Sequence, residues 1–172
     1  MLEPGEEAPD FELSGSAGGE PRTYRLSDHL DDGPVVLAFY PQDFSPVCTE
    51  ELCTLHEGDF FQFVPGVDLF GISTDGVFSH KEFANKHGFD FPLLSDHDGE
   101  TAEAYGIRYE TAFSHEGTDW GQVVKRSLFV VDGDGLVRYA WSTEDPEALP
   151  DLLEAKAALD EIAGGADEGT PA

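Results

Sequence analysis

The chain has 172 residues, the size of one ordinary domain, and 40% of them are hydrophobic. That is enough to bury a core and excludes wholesale disorder. Asp and Glu number 36 against nine Lys and Arg, a formal charge of −27, and a surface this negative repels phosphate backbones and anionic lipid headgroups.

The N-terminal segment opens with an extended piece, Phe11–Leu13, followed by a Gly-rich turn over residues 15–19. Tyr24-Arg25-Leu26 reads as the returning strand of a hairpin. Pro34 then opens the run Val35–Tyr40, whose unbroken apolar character marks a strand buried on both faces. The run stops at Pro41, and a loop leads to Cys48. From Cys48 to Phe63 the apolar residues fall at helical spacing, until Pro65-Gly66 ends the pattern. Val67–Ser73 is the next buried strand. Ser79-His80-Lys81-Glu82 has the form of a capping box, which predicts a helix start there, and Gly88 is its stop.

A short extended piece follows at Pro92–Ser95, then a short helix over Gly99–Tyr105. The stretch from Arg108 to Lys125 reads as loop-rich. Arg126–Val131 and Leu136–Trp141 flank Asp132-Gly133-Asp134-Gly135, a hairpin turn. Pro150–Ile162 carries Leu152, Leu153, Leu159 and Ile162 at helical spacing and closes the domain, 1–163. Residues 164–172 are expected to form a flexible acidic tail. This element order predicts an α/β fold, a mixed central sheet flanked by helices with an N-terminal β-hairpin extension.

The acidity is spread along the whole chain, and only four residues are Lys. At molar salt the screening length falls to about 3 Å and the self-repulsion of such a surface largely disappears. Dispersed acidity with scarce Lys is the pattern of salt-accumulating cytoplasms, so a halophilic, haloarchaeon-like source is expected. The start, Met1-Leu2-Glu3-Pro4-Gly5-Glu6-Glu7, lacks the features of a targeting segment, and the expected location is cytoplasmic. In that reducing compartment two cysteines are more often reactive than structural.

Cys48 follows a buried strand and a loop and opens a helix. A thiolate is the nucleophilic form of cysteine, and a helix N-terminus favours it through its dipole and free N–H groups. Ser45, three residues earlier, can offer a hydroxyl to the same spot. A small buried core residue is the competing reading of Cys48. Cys53 lies five positions on. In an intact helix that is about 7.5 Å of rise and roughly 140° of rotation, which leaves the Cα atoms about 8–9 Å apart, beyond the roughly 7 Å that a disulfide spans. A bridge requires the first helical stretch to unwind, which suits a redox cycle better than a static staple.

The run from Tyr40 to Cys53 resembles a peroxiredoxin of the alkyl-hydroperoxide-reductase/thiol-specific-antioxidant superfamily. The signature P-x-x-x-T-x-x-C is occupied by Pro41, Ser45 and Cys48, with Ser keeping the hydroxyl of the usual Thr and losing its methyl. Glu51 matches the family's acidic residue three positions after the reactive cysteine. The segment Lys125–Asp132 resembles the family's Arg-Ser/Thr strand, which maps the active-site arginine onto Arg126. Phe91–Tyr105 is similar to the family as well, and the likeness runs over about residues 3–163.

The resemblance implies a thioredoxin-like fold and a thiol-dependent peroxidase. It makes Cys48 the residue that is oxidised to a sulfenic acid, with Arg126 and the helix terminus holding its thiolate. Ser45 and nearby N–H groups orient the peroxide, and Pro41 shields the sulfur. The C-x₄-C spacing resembles the peroxiredoxin Q (bacterioferritin comigratory protein) subgroup, which makes Cys53 the resolving cysteine. One-cysteine members, which use an external thiol, share much of the same sequence. The implied partners are a peroxide and a thioredoxin-like dithiol reductant. The implied assembly is a monomer or homodimer, with no metal or organic cofactor.

Two readings from other classes compete. A redox-inert thioredoxin-fold binding module would have lost Cys48 or Arg126. A protein thiol–disulfide exchanger would carry C-x-x-C. A metal cluster of Cys48, Cys53 and His56 lacks a fourth ligand, and the Asp-rich turns at Asp96 and Asp132 lack the Gly and Glu of calcium loops.

Overall fold

The computed structural model describes residues 1–57 and 66–168, with backbone alone over 165–168. Its centre is a seven-stranded mixed sheet. In chain order the elements are β1 (Glu12–Ser16), β2 (Arg22–Arg25), β3 (Val35–Phe39), α1 (Pro46–Glu57), β4 (Asp68–Ser73), α2 (Val77–His87), β5 (Leu93–Ser95) and α3 (Glu100–Ala104). They continue with β6 (Phe113–His115), β7 (Thr118–Gly121), β8 (Ser127–Val131), β9 (Val137–Ser142) and α4 (Leu152–Glu168). The strand order is β2-β1-β5-β4-β3-β8-β9, and β6 and β7 form a separate hairpin. The pairs β3–β4 and β4–β5 are parallel, whereas β1–β2, β1–β5, β3–β8 and β8–β9 are antiparallel.

β3 lies between β4 and β8 and is wholly buried, as its continuous apolar run requires. Its side chains alternate between two cores. Val35, Leu37 and Phe39 join a cluster with Phe11, Tyr105 and Phe129 on the α3 face. Val36, Ala38 and Tyr40 join Cys48, Leu52, Phe83 and Leu159 on the face covered by α1, α2 and α4. Gly71 in β4 lets the Leu93 and Tyr40 side chains close over that face. A Cβ there would stand 2.7 Å from Leu93 Cδ2 and 3.3 Å from the Tyr40 ring.

The fold differs from the sequence reading in four places. Gly15 belongs to β1, not to the hairpin turn, because β5 packs so closely that a Cβ would stand 2.8 Å from the Leu93 carbonyl. The capping box at Ser79 does not cap. α2 starts at Val77 after Gly76, and the Ser79 hydroxyl donates across to Asp43 instead. The stretch Arg108–Lys125 is not all loop, since it holds the β6–β7 hairpin and an isolated bridge from Arg108 to Val124. α4 runs to Glu168, beyond Ile162 and into the segment read as a flexible tail. The end of α1 read at Phe63 lies outside the described residues.

The two Asp-rich turns are turns. Asp132 accepts the N–H groups of Asp134 and Leu136, and Asp96 accepts those of Thr101 and Ala102 at the start of α3. Among the described residues no helix is long and apolar enough to cross a membrane.

Candidate active site

The site forms at the carboxyl end of β3, where ligands bind in open sheets with parallel strands. The β3–β8 register pairs Phe39 with Ser127. Arg126, the residue before Ser127, therefore sits at the end of β3 where the loop toward Cys48 begins. Residues 78 apart in sequence are brought into contact by one strand pairing.

The loop Tyr40–Ser45 turns the chain into α1. Phe44 adopts φ of 67°, a conformation that non-glycine residues rarely take. It is 46% exposed, its ring centred 4.8 Å from that of Phe83 and overlaid by the Lys86 ammonium. Ser45 caps the helix. Its carbonyl accepts the Thr49 N–H at 2.9 Å, and its Oγ accepts the Cys48 N–H at 3.3 Å. Pro46 takes the first helical position, where its missing N–H costs nothing. Cys48 is thus in the first turn of α1, with its side chain fully buried. The helix pole and the Ser45 cap face it as the sequence reading expects.

Arg126 holds the sulfur. Nη2 donates to Cys48 Sγ at 3.3 Å and to the Pro146 carbonyl at 2.7 Å, and Nη1 donates to Glu51 Oε2 at 3.1 Å. The Arg126 and Glu51 side chains are 1% and 2% exposed. Burial opposes the guanidinium charge, but Glu51 and Cys48 outweigh it and raise the Arg126 pKa. Burial pushes the Glu51 carboxyl up to about 7, against the pull of Arg126. Among the described residues, Glu51 Oε1 and Arg126 Nε are buried without hydrogen-bond partners. The guanidinium is a fixed positive group beside the sulfur, anchored by Glu51 from α1 and by the Pro146 carbonyl.

Of the residues singled out from the sequence, Ser45, Cys48, Glu51 and Arg126 converge here. Pro41 is buried in the same loop. Cys53 does not join them. It is half-buried further along α1, and its Sγ lies 3.8 Å from His87 Nδ1. Its thiol pKa is raised by burial, with the charge of Glu57 adding to it. The Cys48–Cys53–His56 grouping separates in space, because Cys48 faces Arg126, Cys53 faces His87 and His56 faces Asp90.

A buried polar network under the loop has no local sequence signal. Asp43 accepts from the Tyr40 hydroxyl at 2.6 Å and the Ser79 hydroxyl at 2.8 Å. Its Oδ2 is 2.8 Å from His80 Nδ1, and both side chains are almost completely buried. His80 Nε2 is 3.0 Å from the Leu94 carbonyl, an acceptor only, so Nε2 carries a proton. Nδ1 lies against the Asp43 carboxylate, so each ring nitrogen faces a buried oxygen. The Asp43 N–H donates to Asp75, which also receives the Ser73 hydroxyl. Burial, and secondarily Asp43, holds the Tyr40 phenol well above its ordinary pKa, so it remains a donor.

This network ties the Cys48 loop to α2 and β5. Asp43→Asn sets an amide donor against the groups that surround the carboxylate and leaves buried donors without acceptors. It is expected to cost about 1–3 kcal/mol, or roughly 5 °C in melting temperature for a chain of this size. Thermal unfolding followed by circular dichroism checks this, and a melting temperature equal to that of the parent would contradict it.

The comparisons with known proteins place the chain in a family. The AhpC/TSA family model matches residues 4–140. A putative peroxiredoxin of Mycobacterium tuberculosis is 40% identical over 147 residues, covering 83% of this chain and 87% of that protein. Peroxiredoxin Bcp of Bacillus subtilis is 34% identical, covering 81% and 85%. The selenocysteine-containing peroxiredoxin PrxU of Peptoclostridium acidaminophilum is 36% identical, and this chain spans 66% of it. Among solved structures, the peroxidoxin BcpB of Mycobacterium tuberculosis aligns with a TM-score of 0.75 at 38% identity, covering 94% of this chain and 99% of that one. Its match fixes the thioredoxin-like fold. The chain belongs to the AhpC/TSA family and is a peroxiredoxin close to the Bcp and peroxiredoxin Q members.

Proposed function

We propose that the chain reduces hydrogen peroxide and organic hydroperoxides through Cys48, is resolved by Cys53 within the same chain, and is recycled by a thioredoxin-like dithiol protein. The observation that carries this reading is the buried Cys48 sulfur, 3.3 Å from Arg126 Nη2 in the first turn of α1. The guanidinium and the helix pole stabilise the thiolate, and an incoming peroxide meets the same positive charge. The Cys48 sulfur attacks one peroxide oxygen. The S–O bond forms, the O–O bond breaks, and the leaving oxygen takes a proton to become water or an alcohol. Charge that develops on that oxygen faces Arg126 and the N–H groups at the start of α1. The product is a sulfenic acid on Cys48, which Cys53 converts to a disulfide with loss of water.

Bridging needs the first turns of α1 to open, and their sequence favours this. Val47 and Thr49 are β-branched. The Thr49 and Thr54 hydroxyls donate back to the carbonyls four residues earlier, a bond that slightly destabilises helices. The Cys48 anchor to Arg126 also weakens once the sulfur is a neutral sulfenic acid.

Steady-state turnover with peroxide, thioredoxin and its reductase tests the cycle. The parent protein is expected to turn over, and Cys53→Ser to oxidise once and then stall with thioredoxin. Undiminished turnover of Cys53→Ser would remove Cys53 from the cycle and favour a one-cysteine peroxidase. The proposed setting is a salt-rich cytoplasm, supported by the charge of −27. Its expected mark is a melting temperature that rises steadily from low salt to molar KCl; a flat or falling curve contradicts it.

A further inference from the structure

Cys53 differs from Cys48 in what surrounds it. Cys48 has a guanidinium and a helix pole. Cys53 is the eighth residue of α1, beyond its first turn of free N–H groups, and among the described residues the charge acting on it, Glu57 on the same helix, opposes a thiolate. Burial opposes it as well. Yet only the thiolate attacks a sulfenic acid efficiently. The thiol therefore needs a base, and one faces it.

His87 Nδ1 lies 3.8 Å from Cys53 Sγ, within hydrogen-bonding reach for sulfur. The ring is fixed by packing. It meets Phe83 edge-on at 5.2 Å and stacks on Phe89 at 5.5 Å with an interplanar angle of 23°. His87 is also the last residue of α2, before the left-handed Gly88, and the C-terminal pole of a helix favours positive charge. Among the described residues, the neighbouring Lys86 and Asp90 point elsewhere. Lys86 lies over the Phe44 ring, and Asp90 pairs with His56.

We propose that His87 is the catalytic base of the resolving step, taking the proton of Cys53 through Nδ1. The proposal rests on Cys53 being the resolving cysteine. The proton passes from Sγ to Nδ1, and the sulfur electron pair attacks the Cys48 sulfenic sulfur. The S–S bond forms as the S–O bond breaks, and the departing hydroxide takes the proton back from the imidazolium to leave as water. Cys53 stays on the α2-packed part of α1 throughout, while the turn that carries Cys48 opens toward it.

Stopped-flow Trp or Tyr fluorescence separates the steps, since oxidation scales with peroxide concentration and resolution does not. His87→Gln and His87→Ala are compared with the parent between pH 6 and pH 9. The expected result is a resolution phase slowed by about 100-fold at pH 7, recovering toward the parent rate as pH rises and Cys53 ionises unaided. A rate equal to the parent at pH 7 overturns the proposal. So does a slowing of the same factor at every pH, which is the mark of lost packing alone. Cys53→Ser, run in parallel, must lack the resolution phase. If it keeps that phase, the role of Cys53 fails, and the fault lies with the reading beneath the proposal.

Discussion

Cys48→Ser is expected to abolish peroxide reduction while the fold remains. Serine replaces the thiol by a hydroxyl of nearly the same shape, in a site with no exposure to solvent. The helix cap from Ser45, the buried face of α1 and the Arg126–Glu51 pair all survive the change. What is lost is the buried sulfur that accepts oxygen from the peroxide. An alcohol has no counterpart of the sulfenic acid, and it does not ionise at neutral pH even beside a guanidinium. Peroxide consumption is therefore expected to fall to the blank rate, with cooperative thermal unfolding retained. A variant that unfolds normally and still consumes peroxide at a tenth of the parent rate would show that the chemistry lies elsewhere.

Arg126→Met is expected to slow the oxidation phase by about 10³-fold, the scale of losing a buried donor aimed at developing charge. Methionine keeps much of the buried volume, so lost charge dominates over lost packing. The stability change carries a sign in pH. In the parent, Glu51 is held at about 7, above its ordinary 4.5. The folded state thus keeps a proton that the unfolded chain has released, and stability from this group falls as pH rises from 4.5 to 7. Removing Arg126 takes away the influence that lowers the Glu51 pKa. The fall then continues to higher pH. The variant is expected to lose more melting temperature at pH 9 than at pH 6, where the carboxyl stays neutral. A loss that is larger at pH 6 would contradict this account of the pair.

Much of the site is legible in the sequence because its parts sit in short, patterned segments. The apolar run Val35–Tyr40 marks the central strand, and Cys48 follows it at the start of a helix whose Pro46 and Ser45 have the chemistry of a first position and a cap. The pairing of Arg126 with Cys48 is long-range, and only the family likeness of Lys125–Asp132 points to it. β8 then places it, through the pairing of Ser127 with Phe39.

The rest depends on partners with no local trace. Ser79 has a capping-box spacing, but the Asp43 carboxylate, 36 residues away, takes its hydroxyl and leaves the helix to start at Val77. His80 and His87 look alike in sequence, two helical turns apart on α2. Tertiary packing gives His80 two buried acceptors and His87 a thiol. The Pro146 carbonyl that supports Arg126 comes from a turn without any motif. Backbone carbonyls carry no sequence signal, and loop stretches such as Arg108–Lys125 take their strands from pairing geometry rather than propensity.

The central claim is that one peroxide drives Cys48 and Cys53 into a bridge within one chain. Intact mass spectrometry tests it directly, on reduced protein in molar salt after one equivalent of hydrogen peroxide. The account predicts a monomeric chain lighter by two hydrogens, with the bridge mapped to Cys48 and Cys53 by peptide analysis. A gain of one oxygen, or a linked dimer, would contradict the intrachain step, and an unchanged mass would contradict the peroxidase itself.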